Sequence, residues 1–310
     1  RRRDRVEICG KSLIQGTSSV ACGSARARNG RVKGNAPEDR SGKPSAKRDS
    51  AERVYGLAAA LAAFEVRPDA VISIAYTEAL RHPLAELLKS AARRRIAYRE
   101  VDAESLTRMA ESVHHEGVCL LLRPRVAPRA PELITGLGER GLVLALDGVQ
   151  NPHNIGAILR SAAYFGVHSL LYASDERKAG AAPTLSAAAR RVAEGGAEYL
   201  PALGVTSLAG VLREAKRQGL AIIGSDAHAN ASVASYAWPA RALLGLGREQ
   251  RGVTRSVRGQ CDQPLRSDGP GAEHIDSLNV SVAAGIFMAS YAASGAARAQ
   301  SAPRKRGARR

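Results

Sequence analysis

Between residues 141 and 295 short apolar runs of strand length alternate with longer stretches of helical pattern, and no other feature restricts the fold as much. The runs are "LVLAL" at 142–146, "HSLLYA" at 168–173, "LAIIGSD" at 220–226 and "ALLGLG" at 242–247. Helices are expected over 154–165, near "TLSAAARRVAEGG", at "SLAGVLREAKRQG" and from about Ser277 to the end of the region. A parallel strand pair needs a long crossover, usually a helix, so this alternation implies a mainly parallel sheet covered on both faces. The polar loop "DGVQNPHN" follows directly on "LVLAL", and loops at strand ends are where chemistry tends to sit.

A second, smaller α/β unit precedes it. "ERVYGLAAALAAFEV" carries an apolar helical stripe, followed by a strand "AVISIAY" and a helix through "EALRHPLAELLKSAARRR". A strand "IAYREV", a helix near "AESLTRMAES" and a strand "GVCLLLR" complete a domain over 51–124. The Pro-, Gly- and Arg-rich segment 125–140 is expected to be a linker and 141–295 the larger domain.

Charge is concentrated at the ends. Residues 1–50 hold 13 basic and 5 acidic side chains and residues 296–310 hold 6 and none, so the ends account for most of the net +17. With few apolar residues to offset ordering entropy, both are expected to be basic tails, suited to approaching a polyanion such as RNA. No apolar run nears the ~20 residues needed to span a bilayer, and the start "RRRDRVEICGKSLIQG" has no long apolar signal core. Cys9, Cys22, Cys119 and Cys261 are scattered without a C-x-x-C pair, as in reduced thiols of a cytoplasmic protein. No membrane and no metal are expected as partners.

Several patterns are set aside. "GLGERG" at 136–141 fits a dinucleotide-binding glycine motif but precedes a strand, whereas that motif must follow one and open a helix. A nicotinamide-dependent dehydrogenase would rest on it alone. "NAS" at 230–232 and "NVS" at 279–281 match a glycosylation pattern that needs a secreted chain. His114 and His115 lack partners at ligand spacing, so a loop or surface role is expected.

Three stretches carry the functional signal: "LDGVQNPHNIGAILRSAAYFGV" at 146–167, "LLGLGREQRGV" at 243–253 and "DSLNVSVAAGIFMASY" at 276–291. Together they resemble the three motifs of the SpoU family of RNA ribose 2′-O-methyltransferases, within the knotted SPOUT class. Residues 52–124, with "VYGLAAALAAF" and "HHEGV", resemble the small ribosomal-protein-like RNA-binding domain that many members carry. The resemblance implies a small α/β RNA-binding domain followed by a SPOUT α/β-knot catalytic domain with a trefoil-knotted, mainly parallel sheet. It also implies S-adenosylmethionine as cofactor, RNA as substrate, ribosomal before transfer RNA, and a homodimer paired through the last helix that completes the pocket.

Carried over residue by residue, the first motif places its asparagine and arginine at Asn154 and Arg160, and the second its glutamate at Glu249. The third motif gives Ser277 and Asn279. Gly247, Ser267 and Leu278 are the expected cofactor contacts. An arginine, with a pKa above ~12, is a poor base, so Arg160 is expected to bind a substrate phosphate and stabilise the developing alkoxide. Asn154 is expected to orient the arginine or ribose and to suit a helix cap, and Ser277 to cap the last helix. Gly245, Gly247 and Gly252 allow close backbone approach to a ligand. One departure stands out: "LRSDGPGAEHIDSLN" puts Ser267 and Asp268 where relatives have an apolar residue and proline, and Gln250 replaces a common glycine. That departure keeps a second expectation open, a catalytically silent RNA-binding or ribosome-assembly factor.

Overall fold

The computed structural model describes residues 51–125, 128–173, 185–248 and 251–301, with side chains to 295. The 1–50 tail and residues 302–310 lie outside that set. The smaller unit comprises β1 (Glu52–Tyr55), α1 (Leu57–Val66), β2 (Val71–Tyr76), α2 (Ala85–Arg93), β3 (Ala97–Glu100), α3 (Ala103–Ala110) and β4 (Val118–Leu122). Its sheet runs β1-β4-β2-β3, antiparallel except for the parallel β2–β3 pair. The helical stripe starts later than its sequence pattern indicates: Glu52–Tyr55 is a strand, and Gly56, at φ +94°, turns the chain into α1. A positive φ of that size favours glycine, which carries no Cβ to clash.

The segment expected as a linker carries α4 (Ala130–Thr135), and Leu133, Ile134 and Leu137 are buried beneath the larger sheet. Three apolar side chains at helical spacing outweigh the Pro and Gly around them. "GLGERG" joins α4 to the next strand and opens no helix.

The larger unit continues with β5 (Gly141–Leu146), α5 (Pro152–Tyr164), β6 (Ser169–Ala173), α6 (Ala187–Val192), α7 (Gly196–Tyr199) and β7 (Ala202–Val205). It then adds α8 (Leu208–Arg217), β8 (Ala221–Ser225), β9 (Ala231–Ser232), β10 (Arg241–Leu246), α9 (Arg255–Arg258), β11 (Gln263–Arg266) and α10 (Val280–Ser301). The seven strands run β7-β6-β5-β10-β8-β11-β9, every pair parallel. Successive strand residues face opposite sides, so Leu142, Leu144 and Leu146 pack under α5 and α10 while Val143 and Ala145 face α4 and α8. Trp238 anchors the first layer, edge-on to Tyr236, Phe287 and Tyr291, with its indole N–H donated to Ser290 Oγ at 2.9 Å. α10 extends past residue 295 to Ser301. Among the described residues no helix is long and apolar enough to cross a membrane.

The single helix expected near "TLSAAARRVAEGG" is two, α6 and α7. Glu194 (φ +46°) and Gly195 (φ +92°) take left-handed backbone between them and break the run. Both short helices pack on α5, α7 also on α1 and α6 also on β1, so they lie between the two units.

Candidate active site

β5 and β10 are neighbours in register, Leu146 opposite Leu246, so the segments that begin at Asp147 and Gly247 leave the sheet side by side. The loops are tied together: Arg248 Nε donates to Gly148 O at 2.9 Å, and buried Asp147 accepts from Thr254 N at 2.5 Å. Gly148 has φ +76°, and a Cβ there would meet Arg248 Nε at 2.6 Å. At Gly247 a Cβ would lie 1.9 Å from the Gly252 carbonyl carbon, so no side chain fits. Gly245 has only ordinary contacts, so the steric demand falls on Gly247 and on Gly252 (φ +60°).

α5 is capped by Asn151, whose side chain accepts from His153 N at 2.9 Å, with Pro152 following. This corrects the expectation that Asn154 is a cap. Asn154 lies a turn further in, 9% exposed, where its Oδ1 accepts from Asn279 Nδ2 at 3.1 Å. The start of α10 differs in the same way. Asn279, rather than Ser277, caps it, with Oδ1 accepting from Ser281 N at 2.9 Å and Ser281 Oγ at 2.6 Å. The difference has a plain cause: the helix begins at Val280, one residue after Asn279 and three after Ser277.

Two cavities lie near this amide pair: Asn154 lines one, and Leu278 and Val280, the neighbours of Asn279 in the chain, line the other. One, about 380 Å³, is lined by Gln150, Asn151, Asn154, Arg248 and Arg251. The other, about 430 Å³, brings together Gly247, Ser267, Ser277 and Leu278 with the carboxylates of Asp226 and Asp276. Arg248, Arg251 and Val280 line both. The second cavity holds all three expected cofactor contacts. Its hydroxyls, carboxylates, apolar wall and Gly247 backbone suit a ligand with a ribose, an ammonium and a sulfonium, as S-adenosylmethionine has. The unusual 266–272 loop is fastened: Asp268 accepts from Arg266 Nε at 2.9 Å and from Ser232, and Arg266 Nη1 donates to Ala229 O at 2.8 Å.

Arg160 does not join them within one chain. Six residues beyond Asn154 is 600° of helical rotation, some 120° off its face. The Arg160 guanidinium is 59% exposed, pairs with Glu194 at 2.7 Å, and lines neither cavity. Glu249 and Gln250 lie outside the described residues. Arg248, Arg251, Asp226 and Asp276 went unnoticed in the sequence. The signal for the first two was there, basic residues directly after a strand end. His115 is 9% exposed, its ring nitrogens meeting Thr107 Oγ1 at 3.1 Å and Gly117 N at 3.0 Å, a loop-fixing role. Among the described residues no group of three His, Cys, Asp or Glu is placed to hold a metal ion, and Cys119 and Cys261 are free thiols.

Sheet order, loop placement and the smaller α/β unit ahead of the larger one define a two-domain protein with a SPOUT-type methyltransferase fold. Residues 141–289 match the SpoU rRNA Methylase family model, and residues 53–126 match the RNA 2′-O ribose methyltransferase substrate binding model. The chain belongs to the SpoU family. It is 32% identical over 239 residues, 77% of this chain and 67% of that one, to the Escherichia coli protein named uncharacterized tRNA/rRNA methyltransferase YfiF. It is 35% identical over 242 residues to the Pseudomonas aeruginosa 23S rRNA (guanosine-2′-O-)-methyltransferase RlmB, covering 76% of this chain and 94% of that one. In fold it is similar to the SpoU methyltransferase AviRb from Streptomyces viridochromogenes, solved in complex with AdoMet. There the TM-score is 0.66 at 23% identity, over 81% of this chain and 93% of that one.

Proposed function

We propose that this chain transfers a methyl group from S-adenosylmethionine to a ribose 2′-hydroxyl of ribosomal RNA. The observation that carries the reading is the Asn279–Asn154 hydrogen bond, which joins the first and third motifs where Asn154 lines the smaller cavity and the chain neighbours of Asn279 line the larger. Relatives named for guanosine-2′-O methylation of 23S rRNA favour ribosomal over transfer RNA. The reading carries a cytoplasmic location, where the thiols of Cys119 and Cys261 stay reduced.

When bound, the cofactor supplies an activated methyl on a sulfonium. Gly247, Ser267 and Leu278 would hold it in the larger cavity, and Ser277 stands at the same wall. Methyl transfer requires the ribose oxygen to be aligned behind the methyl carbon. Asn154 and Asn279, each fixed by the other, would orient that ribose; the motif-two glutamate, Glu249, is the further residue we assign to the reaction. Arg248 and Arg251 put positive charge beside the smaller cavity, where an RNA phosphate would lie. Arg160 would bind a phosphate flanking the target and stabilise the developing alkoxide.

Arg160 reaches a cavity only if a second copy supplies it, and a homodimer paired through α10 would do so. In support, Ile275, Leu278, Val282 and Ile286 are 64, 43, 51 and 38% exposed, an apolar stripe at three- and four-residue spacing leading into and along α10.

The test is methyl transfer by the purified full chain, with methyl-labelled S-adenosylmethionine and unmodified 23S rRNA and tRNA transcripts. Label in the 23S transcript that is lost in Arg160→Ala is the expected result; no label in either refutes the reading. The silent RNA-binding alternative rests on the altered 266–272 loop. Calorimetry separates the two, because a silent factor would bind RNA without binding the cofactor.

A further inference from the structure

The turn between α6 and α7 touches the small domain on one side and Arg160 on the other. On the small-domain side, a Cβ on Gly195 would come within 2.7 Å of Ala62 Cβ on α1. Three residues on, Glu198, 4% exposed, accepts from Arg67 Nε at 2.8 Å, Arg125 Nη2 at 3.0 Å and Arg190 Nη1 at 3.2 Å. Glu52 on β1 takes Arg67 Nη2 at 3.1 Å and Arg190 Nη2 at 3.3 Å. On the α5 side, a Cβ on Gly196 would lie 2.9 Å from Leu159 O and 3.0 Å from Arg160 Cα, so the turn's backbone is pressed against the arginine's own. Glu194 leads this turn, and its carboxylate meets Arg160 Nη1.

We propose that Glu194 is a positioning residue for Arg160, holding the guanidinium plane in the orientation from which it meets the RNA phosphate. This rests on the phosphate-binding role of Arg160 set out above. An exposed ion pair taken alone contributes little, about 0–1 kcal/mol. Glu194 differs from such a pair because its backbone is already fixed, by the left-handed turn, by two close glycine contacts and by the Glu198 anchor. The root of the carboxylate is therefore placed before the arginine arrives, so only the side-chain torsions of the pair remain to be ordered and orienting the arginine costs less entropy than between two mobile segments. A guanidinium carries five donors in a rigid fork. A carboxylate on Nη1 sets the plane and leaves donors for a phosphate.

The opposite role would be a parking site from which RNA must pull Arg160, and kinetics tell the two apart. With the full chain, labelled S-adenosylmethionine and the unmodified 23S rRNA transcript, Glu194→Gln is expected to lower kcat about tenfold. The KM for RNA and the dissociation constant for S-adenosylmethionine should stay within about twofold, and Glu194→Asp should recover part of the rate. Because Glu194 acts through Arg160, the Arg160→Ala/Glu194→Gln double variant should be no slower than Arg160→Ala. Glu214→Gln removes a pair with the exposed Arg217 on α8, away from both cavities, and should leave all constants unchanged. Wild-type kcat in Glu194→Gln, a fall in its KM, or losses that multiply in the double variant would overturn the assignment. Wild-type activity in Arg160→Ala would instead remove the role of the arginine itself, and the positioning role with it.

Discussion

Replacing Glu198 by alanine tests whether the charge cluster holds the small domain to the larger one. Its carboxylate is 2% exposed, and the Arg67, Arg190 and Arg125 side chains around it are 11, 9 and 27% exposed. Burial pulls the Arg125 guanidinium below its ordinary value, with the neighbouring Glu198 acting against that. In the variant Glu52 is the carboxylate left to the cluster, while Arg125 Nη2 keeps the residue-198 carbonyl and Arg67 Nη1 the Arg123 carbonyl. Removing one partner from a buried ion pair costs about 3–5 kcal/mol, because the other charges stay desolvated. Glu52 still serves Arg67 and Arg190, and Arg125 can turn to water, so the lower end applies, about 3 kcal/mol. For a folded region of this size each kcal/mol moves the melting midpoint by about 2–4 °C, giving a drop of roughly 6–12 °C. Calorimetric melting of the full chain measures it, with Glu111→Ala as an exposed-pair control expected to shift far less. A Glu198→Ala midpoint within about 2 °C of wild type would refute the reasoning, and the two domains would then owe their docking to apolar contact alone.

Gly247→Ala should abolish cofactor binding, since the added carbon would overlap backbone at 1.9 Å; calorimetry showing wild-type affinity would contradict the cavity assignment. Asn279→Ala should lower stability by about 1–2 kcal/mol through the lost cap and amide bond and reduce methyl transfer. Adding Asn154→Ala should cost less than the two single effects combined, which denaturant titration and rate assays can both read. Burial pushes the Cys119 thiol up to about 11 from 9.0. The folded state therefore holds that proton where the unfolded state releases it, and stability falls as pH rises from 9 towards 11, by on the order of 2–3 kcal/mol. Cys119→Ala should flatten the stability curve in that window; an unchanged alkaline slope would show that other groups set it.

Strand–helix alternation made the larger sheet legible, because each inner strand is a run of apolar residues bounded by polar turns. Less of the local detail was visible. Both helix caps lay one or more residues from their expected places, since Asn and Ser can cap from several positions and the choice depends on where the first backbone bond closes. The break between α6 and α7 was hidden because a left-handed glutamate has no compositional signature. α4 was obscured by the prolines and glycines around three core residues. The asparagines of motifs one and three meet in space, 125 residues apart in the chain, a contact that no local pattern announces. Arg160 illustrates the limit: helical periodicity turns it away from Asn154, and its contact with Glu194 crosses from α5 to a turn 34 residues later. Such a contact follows from packing and leaves no mark on local sequence.

Asn279 uses the two ends of one amide for different tasks, its oxygen on the α10 backbone and its nitrogen on Asn154. Any ligand that draws Asn154 towards a ribose therefore tugs on the opening turn of α10, the longest helix among the described residues. Occupancy of the site becomes audible at a distance: the Ser281 amide should exchange its hydrogen at a different rate once RNA and methyl donor are in place, and the apolar stripe beyond it would feel the change first.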